Sequence, residues 1–302
     1  MIFHRVLAHQ DPLFPGEITQ RQFDDICAWV KRWFQVLPLP DAVTALQRGT
    51  LPARALAITF DDGYADNHDL ALPVLQKHGL QATFFVASGF LDGGRMWNDT
   101  VIESVRSTSL GNIDLRDSPA AALGCLPCFT LKDKQSAIAT IIGASKYLPP
   151  PERGQWVAAV AAAAAGDLPS DLMMTSEQLR SMRRAGMTIG AHTVSHPILA
   201  RLDTAEIAQE VSEGRRQLES ILGEAVGVFA YPNGKPGTDY DQRAVEIVRQ
   251  QGFLAAVSTH WGACSGQDDL FQLPRFTPWD RSRLRFGLRM LGNLARGYSL
   301  SW

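Results

Sequence analysis

The sequence predicts an α/β fold in which parallel strands form a core that is covered by helices. Seven short apolar runs alternate with segments of helical periodicity over most of the chain. Alternation of this kind is typical of a parallel sheet, because parallel neighbours need a crossover between them. The chain has 302 residues, which is enough to bury the core of one large α/β barrel.

The predicted strands and helices follow one another in a regular order. The strand-like runs are IFHRVL, ALAITF, ATFFVAS, MTIGAH, GVFAYP, FLAAVS and LFQLPRF. The predicted helices cover residues 19–34, 66–78, 176–185, 204–222 and 239–251. In the helix at 204–222, apolar residues recur at helical spacing, namely Ile207, Val211, Leu218 and Ile221.

One segment, at about 93–174, departs from this alternation. It is too long for a single strand-to-helix connection, and it holds the alanine-rich run WVAAVAAAAAGDL between proline-rich turns. We therefore expect one domain over residues 1–280 that contains a helical insertion at about 93–174. Cys125 and Cys128 lie in this insertion with C-x-x-C spacing. Without a second such pair or a thioredoxin-like unit, ordinary reduced thiols are expected.

Two adjacent carboxylates, Asp61 and Asp62, directly follow the run ALAITF and precede Gly63. The carboxyl ends of parallel strands are where α/β folds place their chemistry. Neighbouring carboxylates repel each other unless a cation separates their roles. The pair therefore predicts a metal ion, with one aspartate as a ligand and the other left free as a base.

Two histidines follow another strand-like run, MTIGA, about 130 residues later. His192 and His196 are four residues apart, but the strand before them and Pro197 after them favour a strand end and a turn over a helix. Two imidazoles and one carboxylate form a ligand set that leaves positions open for water and substrate. Either pair alone is more often a turn or a surface pair, but together they predict a metal site.

These motifs carry a family resemblance. TFDDG, HTVSH and FAYPNG resemble the three signatures of the polysaccharide deacetylases, the NodB-homology domain of carbohydrate esterase family 4. The resemblance extends from FHRV at Phe3 to LPRF at Leu273. It implies a distorted (β/α)7-type barrel, a divalent metal and the removal of acetyl groups from N-acetylated sugars.

The resemblance also implies roles for the residues of the first two motifs. Asp61 would be the general base, and Asp62, His192 and His196 would hold the ion. Zinc is the metal expected first, and the same ligand set accepts cobalt or nickel.

The general acid is expected at the beginning of the chain. Many family members supply it from a late Leu-x-His motif, but no histidine follows His260 here. The start MIFHRV instead resembles the circularly permuted deacetylases of the poly-N-acetylglucosamine type, and this resemblance assigns the acid to His4. The alternative is a strand-end histidine that is bonded to a neighbouring loop.

The third signature departs from the family pattern at its arginine. Ala230 stands two residues before the proline, where the family has an arginine that contacts the catalytic aspartate. Arg275 in LPRF is the expected substitute, because a guanidinium beside Asp61 would hold it ionised and oriented. The alternative is a surface arginine after a proline turn. The resemblance also assigns an oxyanion-stabilising role to the backbone N–H of Tyr231.

Residues 281–302 form a basic tail in which arginines alternate with apolar residues and no acidic residue follows Asp280. A basic amphipathic helix of this type can lie on an anionic membrane surface. The alternative is a final helix that packs on the barrel with its arginines in solvent. Gly287 and Gly292 weaken the helix itself.

The overall composition limits the classes of partner and the location. The formal net charge of −2 gives no indication of nucleic-acid binding. No stretch of 18 apolar residues is present, and the N-terminal residues lack the pattern of a signal peptide. We therefore expect a cytoplasmic protein, with peripheral contact at the inner membrane if the tail binds lipid.

The expected function is that of a metal-dependent deacetylase that removes N-acetyl groups from amino sugars of a polysaccharide or its lipid-linked precursor. Biosynthesis of an exopolysaccharide or cell-envelope glycan would be the context. Two alternatives stay open. One is an O-acetyl esterase or amidase that acts on a small molecule. The other is a non-catalytic carbohydrate-binding relative, which the complete set of catalytic and ligand residues disfavours.

Overall fold

The computed structural model describes residues 1–278 and 280–295. The strands in this part of the chain are β1 (Ile2–Phe3), β2 (Gln35–Val36), β3 (Ala55–Leu56), β4 (Thr59–Phe60), β5 (Thr83–Val86), β6 (Asn112–Asp114), β7 (Cys125–Pro127), β8 (Thr188–Ala191), β9 (Val228–Ala230), β10 (Ala255–Trp261) and β11 (Leu273–Arg275). Seven of them form one sheet in the order β1-β4-β5-β8-β9-β10-β11, with every neighbouring pair parallel. Each of the seven strand-like runs in the sequence supplies one of these strands.

The sheet curves into a nearly closed barrel. The backbone N–H of Ile2 on β1 donates to the carbonyl of Phe276, just beyond β11, over 3.0 Å. This bond brings the first and last strands of the sheet together. The distorted (β/α)7 barrel is therefore confirmed.

The helices of the described residues are α1 (Gln20–Trp33), α2 (Leu39–Gln47), α3 (Leu72–His78), α4 (Trp97–Ser107), α5 (Leu131–Ser145), α6 (Pro150–Ala164), α7 (Ser176–Arg184), α8 (Thr204–Leu222), α9 (Gln242–Gln250) and α10 (Arg283–Ala295). All five predicted helices are present. The predicted helix at 66–78 begins as a π-helical turn, Asn67–Ala71, before it continues as α3. The sequence analysis did not predict α2.

Alternation along the strands separates an outer apolar layer from the barrel interior. Phe60 stacks between Phe3 and Phe84, with ring centroids 5.2 and 4.8 Å away, and Phe23 of α1 packs on this row. Successive side chains of a strand point to opposite faces. Asp61, the next residue after Phe60, consequently points into the barrel.

The chain divides into two compact units. The barrel unit contains Met1–Gln10, Gly16–Asp92 and the described residues from Met173 onward. The second unit contains Gly93–Leu172 together with Asp11–Pro15. It consists of α4, α5, α6 and the antiparallel pair β6 and β7 around its own buried apolar cluster, to which Leu13 belongs. The sequence analysis did not predict that the N-terminal segment Asp11–Pro15 belongs to this second unit.

Two properties of the whole described chain bear on the expectations above. All four cysteines are free thiols. Among residues 1–278 and 280–295, no helix is both long and apolar enough to cross a bilayer.

Candidate metal centre

The structure brings Asp62, His192 and His196 together at the carboxyl ends of β4 and β8. The Nε2 atoms of His192 and His196 lie 3.4 and 3.3 Å from Asp62 Oδ1. One ligand atom from each of the three residues lies within 4.8 Å of the others. Asp62 and His192 are buried, and His196 is nearly so.

This arrangement fits a divalent cation. Asp62 Oδ1 is a buried acceptor that has no hydrogen-bond partner in the described chain. Such an atom is costly unless something positive compensates it. His192 Nδ1 lies 2.7 Å from the carbonyl of Ala230, and donation to this carbonyl leaves Nε2, which faces Asp62, with a free lone pair for a metal ion. A carboxylate oxygen and two imidazole nitrogens suit zinc, cobalt or nickel.

The protonation states of His196 and Asp62 also suit metal binding. Burial lowers the pKa of His196 to about 4, so that its ring is neutral at neutral pH. Burial alone would raise the pKa of Asp62, but the neighbouring His192 and His196 reverse this effect and lower it. Because ligands must be deprotonated, both residues are ready to bind a cation without first losing a proton.

Backbone strain is concentrated at the ligands. Asp62, Thr193 and His196 have φ angles of 80°, 66° and 51°, in the left-handed region that β-branched residues in particular avoid. Each such residue costs on the order of 1–3 kcal/mol. Strain of this kind persists where the surrounding structure fixes the backbone. Here the strained conformations direct the side chains of both ligand-bearing loops toward one point.

The loop between the two histidines is fixed by α8. Glu210 accepts hydrogen bonds from the backbone N–H groups of Val194 and Ser195, each over 2.9 Å, and from Ser195 Oγ over 2.6 Å. Gly214 lets the helix approach closely, because a Cβ there would lie 2.7 Å from the carbonyl carbon of Thr193. The sequence analysis missed Glu210, since it is an ordinary acidic residue in a predicted amphipathic helix.

Arg275 contacts Asp61 as the sequence predicts. Its two terminal nitrogens, Nη1 and Nη2, donate to Asp61 Oδ1 and Oδ2, each over 2.7 Å. The guanidinium also donates to Thr59 Oγ1 over 3.0 Å and to the carbonyl of Ser258 over 2.9 Å. Arg275 is only 4% exposed, so the alternative of a surface arginine is wrong.

The guanidinium decides the charge state of Asp61. Burial alone would raise the pKa of this carboxyl group, but the charge and hydrogen bonds of Arg275 lower it below its usual value. Asp61 is therefore ionised at neutral pH. A carboxylate has about four lone-pair sites, and Arg275 uses two of them. The remaining sites are free to accept a proton.

His4 lies at the end of β1, next to the strand that carries the two aspartates. Its backbone carbonyl accepts a hydrogen bond from Asn67 Nδ2 over 2.9 Å, and its side chain is exposed. Within the described residues, its imidazole makes no hydrogen bond. The charge of His4 contributes to lowering the pKa values of Asp61 and Asp62. The ring is therefore close enough to influence the site and accessible to a substrate.

The segment after His4 is held by residues that the sequence analysis did not identify. Asp66 accepts a hydrogen bond from Arg5 Nε over 2.8 Å and one from the backbone N–H of Val6 over 3.1 Å. Asn67, one residue further along, binds the carbonyl of His4. These contacts connect the candidate acid to the chain directly after the Asp61 motif.

The role predicted for the Tyr231 backbone N–H needs correction. This group donates to the carbonyl of Val257 over 3.2 Å and so belongs to the bonding between β9 and β10. The side chain is buried, with its hydroxyl 2.9 Å from the Phe271 carbonyl and its ring stacked 3.9 Å from Tyr240. Tyr231 is thus part of the barrel core, and its N–H is not free for an oxyanion.

Comparisons with known proteins agree with this site. The family model described as polysaccharide deacetylase matches residues 48–109 and 132–256, which is more than half of the chain. The chain belongs to the polysaccharide deacetylase family. The matched residues include Asp61, Asp62 and both candidate histidine ligands, whereas His4 and Arg275 lie outside them.

A curated relative and several solved structures are also similar. The Bacillus subtilis (strain 168) protein YxkH, whose name marks it as a presumed polysaccharide deacetylase, is 20% identical over 260 residues. That alignment covers 85% of this chain but only 64% of the length of YxkH.

The structural matches cover nearly the whole chain. The Streptococcus pyogenes deacetylase PplD, solved in complex with acetate, has a TM-score of 0.62 at 19% identity, with 91% of this chain and 89% of PplD covered. IcaB from Ammonifex degensii has a TM-score of 0.58 at 21% identity, with 92% and 91% covered. At such identities these two matches establish the shared fold.

Proposed function

We propose that this chain is a metal-dependent N-deacetylase that removes acetyl groups from the amino-sugar residues of a glycan. The observation that carries the proposal is the pairing of two neighbouring aspartates with different partners. Asp61 is held ionised by a buried arginine, while Asp62 faces two histidines. One carboxylate is thereby available as a base and the other as a ligand.

Asp62, His192 and His196 would hold the cation, with zinc as the expected ion. When bound, a divalent metal polarises the acetyl carbonyl and lowers the pKa of a coordinated water molecule. The strained backbone at Asp62 and, in the histidine loop, at Thr193 and His196 fixes the ligand directions before the ion arrives.

Asp61 would take the proton from the attacking water. Its low pKa makes it a weak base, but it also makes the residue fully ionised at neutral pH. The two hydrogen bonds from Arg275 fix the plane of the carboxylate, so that its unused lone pairs point in one direction.

His4 would protonate the departing nitrogen. An amine is a poor leaving group without a proton, whereas an alkoxide leaves an ester more readily. Removal of the imidazole should therefore slow amide cleavage by a factor of about 10²–10⁴ and affect esters less. The exposed ring and the buried charges near it support this assignment.

The oxyanion donor would be the backbone N–H of Asn233 rather than that of Tyr231. Asn233 follows β9, which lies beside the strand of His192, and its φ of 57° turns the chain sharply. Its N–H has no recorded partner among the described residues. Free N–H groups in such turns are typical anion-binding groups.

The substrate would be an N-acetylated polysaccharide or its lipid-linked precursor, in the biosynthesis of an exopolysaccharide or envelope glycan. The family membership and the similarity to IcaB and PplD support this choice. We place the enzyme in the cytoplasm, where a precursor would be met before export.

The proposal is tested by acetate release from N-acetylglucosamine oligomers after reconstitution with zinc, cobalt or nickel. Asp61→Asn should lose at least about 10²-fold in rate while it still binds metal, because only the base is removed. Asp114→Asn, which changes an exposed aspartate of the second unit, is the matched control and should retain full activity.

The variant His4→Gln distinguishes an N-deacetylase from an O-acetyl esterase. We expect it to reduce acetate release from the oligomers far more than from an O-acetyl ester. Stoichiometric metal binding without release from any N-acetylated oligomer, together with ester cleavage that His4→Gln leaves unchanged, would replace the proposal with an O-acetyl esterase.

A further inference from the structure

The last described helix, α10, has two apolar faces. Phe286 and Met290 are buried, whereas Leu284, Leu288 and Leu291 are exposed. At 100° per residue these two sets lie on roughly opposite sides of the helix. A helix that only packs on a barrel needs one apolar face, so the second face requires an explanation.

The inward face already anchors the helix to the barrel unit. The ring of Phe286 is fully buried, with centroids 5.5 Å from Trp29 and 6.0 Å from Trp33 of α1. Arg289, three residues further along α10, is paired with Asp280. The alternative of a final helix that packs on the barrel is therefore confirmed for Arg283–Ala295, and residues 296–302 lie outside the described residues.

The outward face forms a continuous apolar ridge. Leu284, Leu288 and Leu291 are 74%, 61% and 64% exposed, and they follow one another at helical spacing. Beside them runs a groove of about 630 Å³ whose wall is completed by Trp33 and Phe34. Exposed apolar patches of this kind usually mark an interaction surface.

The charges around the ridge have one sign. Arg281, Arg283 and Arg285 are exposed, and residues 281–295 include no aspartate or glutamate. The last turn of α1, directly before the groove residue Trp33, adds the exposed cations Lys31 and Arg32. An occupant of this surface must therefore accept leucine side chains and carry negative charge.

We propose that the α10 ridge, defined by Leu284, Leu288 and Leu291 with the flanking arginines, seats on an anionic phospholipid bilayer. The leucines enter the headgroup and acyl boundary, and the arginines contact lipid phosphates. A second copy of the chain fits less well, because the same face in a two-fold dimer would bring arginines against arginines. The inference goes beyond the proposed catalysis and does not depend on it.

The test is sedimentation of the full chain with vesicles of phosphatidylcholine, with and without phosphatidylglycerol. We expect binding to the anionic vesicles at low salt, weaker binding at high salt, and little binding to pure phosphatidylcholine. Equal binding to both vesicle types, or none to either, would overturn the proposal.

Two double variants locate the contact. Leu284→Ser with Leu288→Ser should weaken vesicle binding by about 10-fold per leucine. Their matched control is Leu110→Ser with Leu131→Ser, which changes two exposed leucines of the second unit and should bind normally.

The charge variant tests the arginines separately. Arg283→Gln with Arg285→Gln should weaken binding to anionic vesicles by about five-fold per arginine and reduce its salt dependence. All variants should retain deacetylase activity on soluble oligomers if the chain has it. Vesicle binding that neither variant weakens, or self-association that the leucine variant abolishes without any effect on vesicle binding, would contradict the proposal.

Discussion

The buried pair of Arg275 and Asp61 gives the sharpest prediction. Arg275→Met keeps an unbranched side chain of similar length but removes the guanidinium and all four of its recorded hydrogen bonds. Asp61 is only 2% exposed, so water cannot replace the hydrogen bonds that it loses. The variant therefore leaves a buried carboxylate without its counter-ion.

The expected cost follows from the type of interaction. Removing one partner of a buried ion pair destabilises a protein by about 3–5 kcal/mol, because the remaining charge stays buried and uncompensated. The Ser258 carbonyl also loses a donor, which adds to the cost, while Thr59 Oγ1 keeps its bond to the Met1 carbonyl. We expect a loss of about 3–5 kcal/mol in the free energy of unfolding at neutral pH.

The loss should depend on pH in a definite direction. In the native chain the pKa of Asp61 is lowered, so its stabilising contribution is present at neutral pH and disappears as the pH falls through that low value. In Arg275→Met, burial is left as the dominant influence and raises the pKa. Protonation of Asp61 then removes the uncompensated buried charge from the variant. The difference in the free energy of unfolding between the native chain and Arg275→Met should therefore be smaller at about pH 5 than at neutral pH.

Urea unfolding at the two pH values, with chelator present so that metal binding does not contribute, measures both effects. Arg275→Lys is the matched control, because it restores one charge without the two-pronged contact and should recover part of the stability. A loss below about 1 kcal/mol, or one that is the same at both pH values, would refute the assignment of a buried, charged pair.

Three further predictions address the ligands, their support and the second unit. Asp62→Asn should abolish stoichiometric zinc binding, measured by metal analysis after dialysis, and with it the rise in melting temperature that we expect zinc to give the native chain. Glu210→Ala should weaken zinc affinity by about 10–100-fold in a chelator competition, whereas Glu210→Gln, which can still accept from both N–H groups, should recover most of it. The hydrogen bonds of Arg106 lower the pKa of Asp11, so its stabilising contribution is present at neutral pH and is lost as the pH falls through that lowered value. Asp11→Asn should therefore cost about 1 kcal/mol at neutral pH and progressively less as the pH falls below about 4, measured by urea unfolding.

The sequence was sufficient to predict the strands and the convergence of the metal ligands. Both depend on local patterns, namely apolar runs of strand length and polar residues placed where those runs end. Because parallel strands present their carboxyl ends at one rim, Asp62 and His192 could be expected to meet although 130 residues separate them.

Features that depend on tertiary contacts could not be predicted in the same way. Glu210 supports the metal site only because α8 approaches the histidine loop at Gly214, and no local pattern distinguishes it from the other glutamates of the predicted helices. The segment Asp11–Pro15 belongs to the second unit through packing with residues far along the chain. The Tyr231 N–H was misassigned because the motif did not show where β9 pairing ends.

The closure of the barrel explains how Arg275 can replace an arginine that the third signature lacks. β9, where Ala230 stands, and β11, where Arg275 stands, are two strands apart in the sheet. The bond from Ile2 to Phe276 places β11 beside β1, and β1 pairs with β4, which ends at Asp61. An arginine on β11 thus approaches Asp61 from the other side of the barrel, and its long side chain spans the remaining gap. Asp61 requires a buried guanidinium in bidentate contact, and the strand that supplies it does not matter. The same ion pair can therefore form with an arginine on β11 instead of β9.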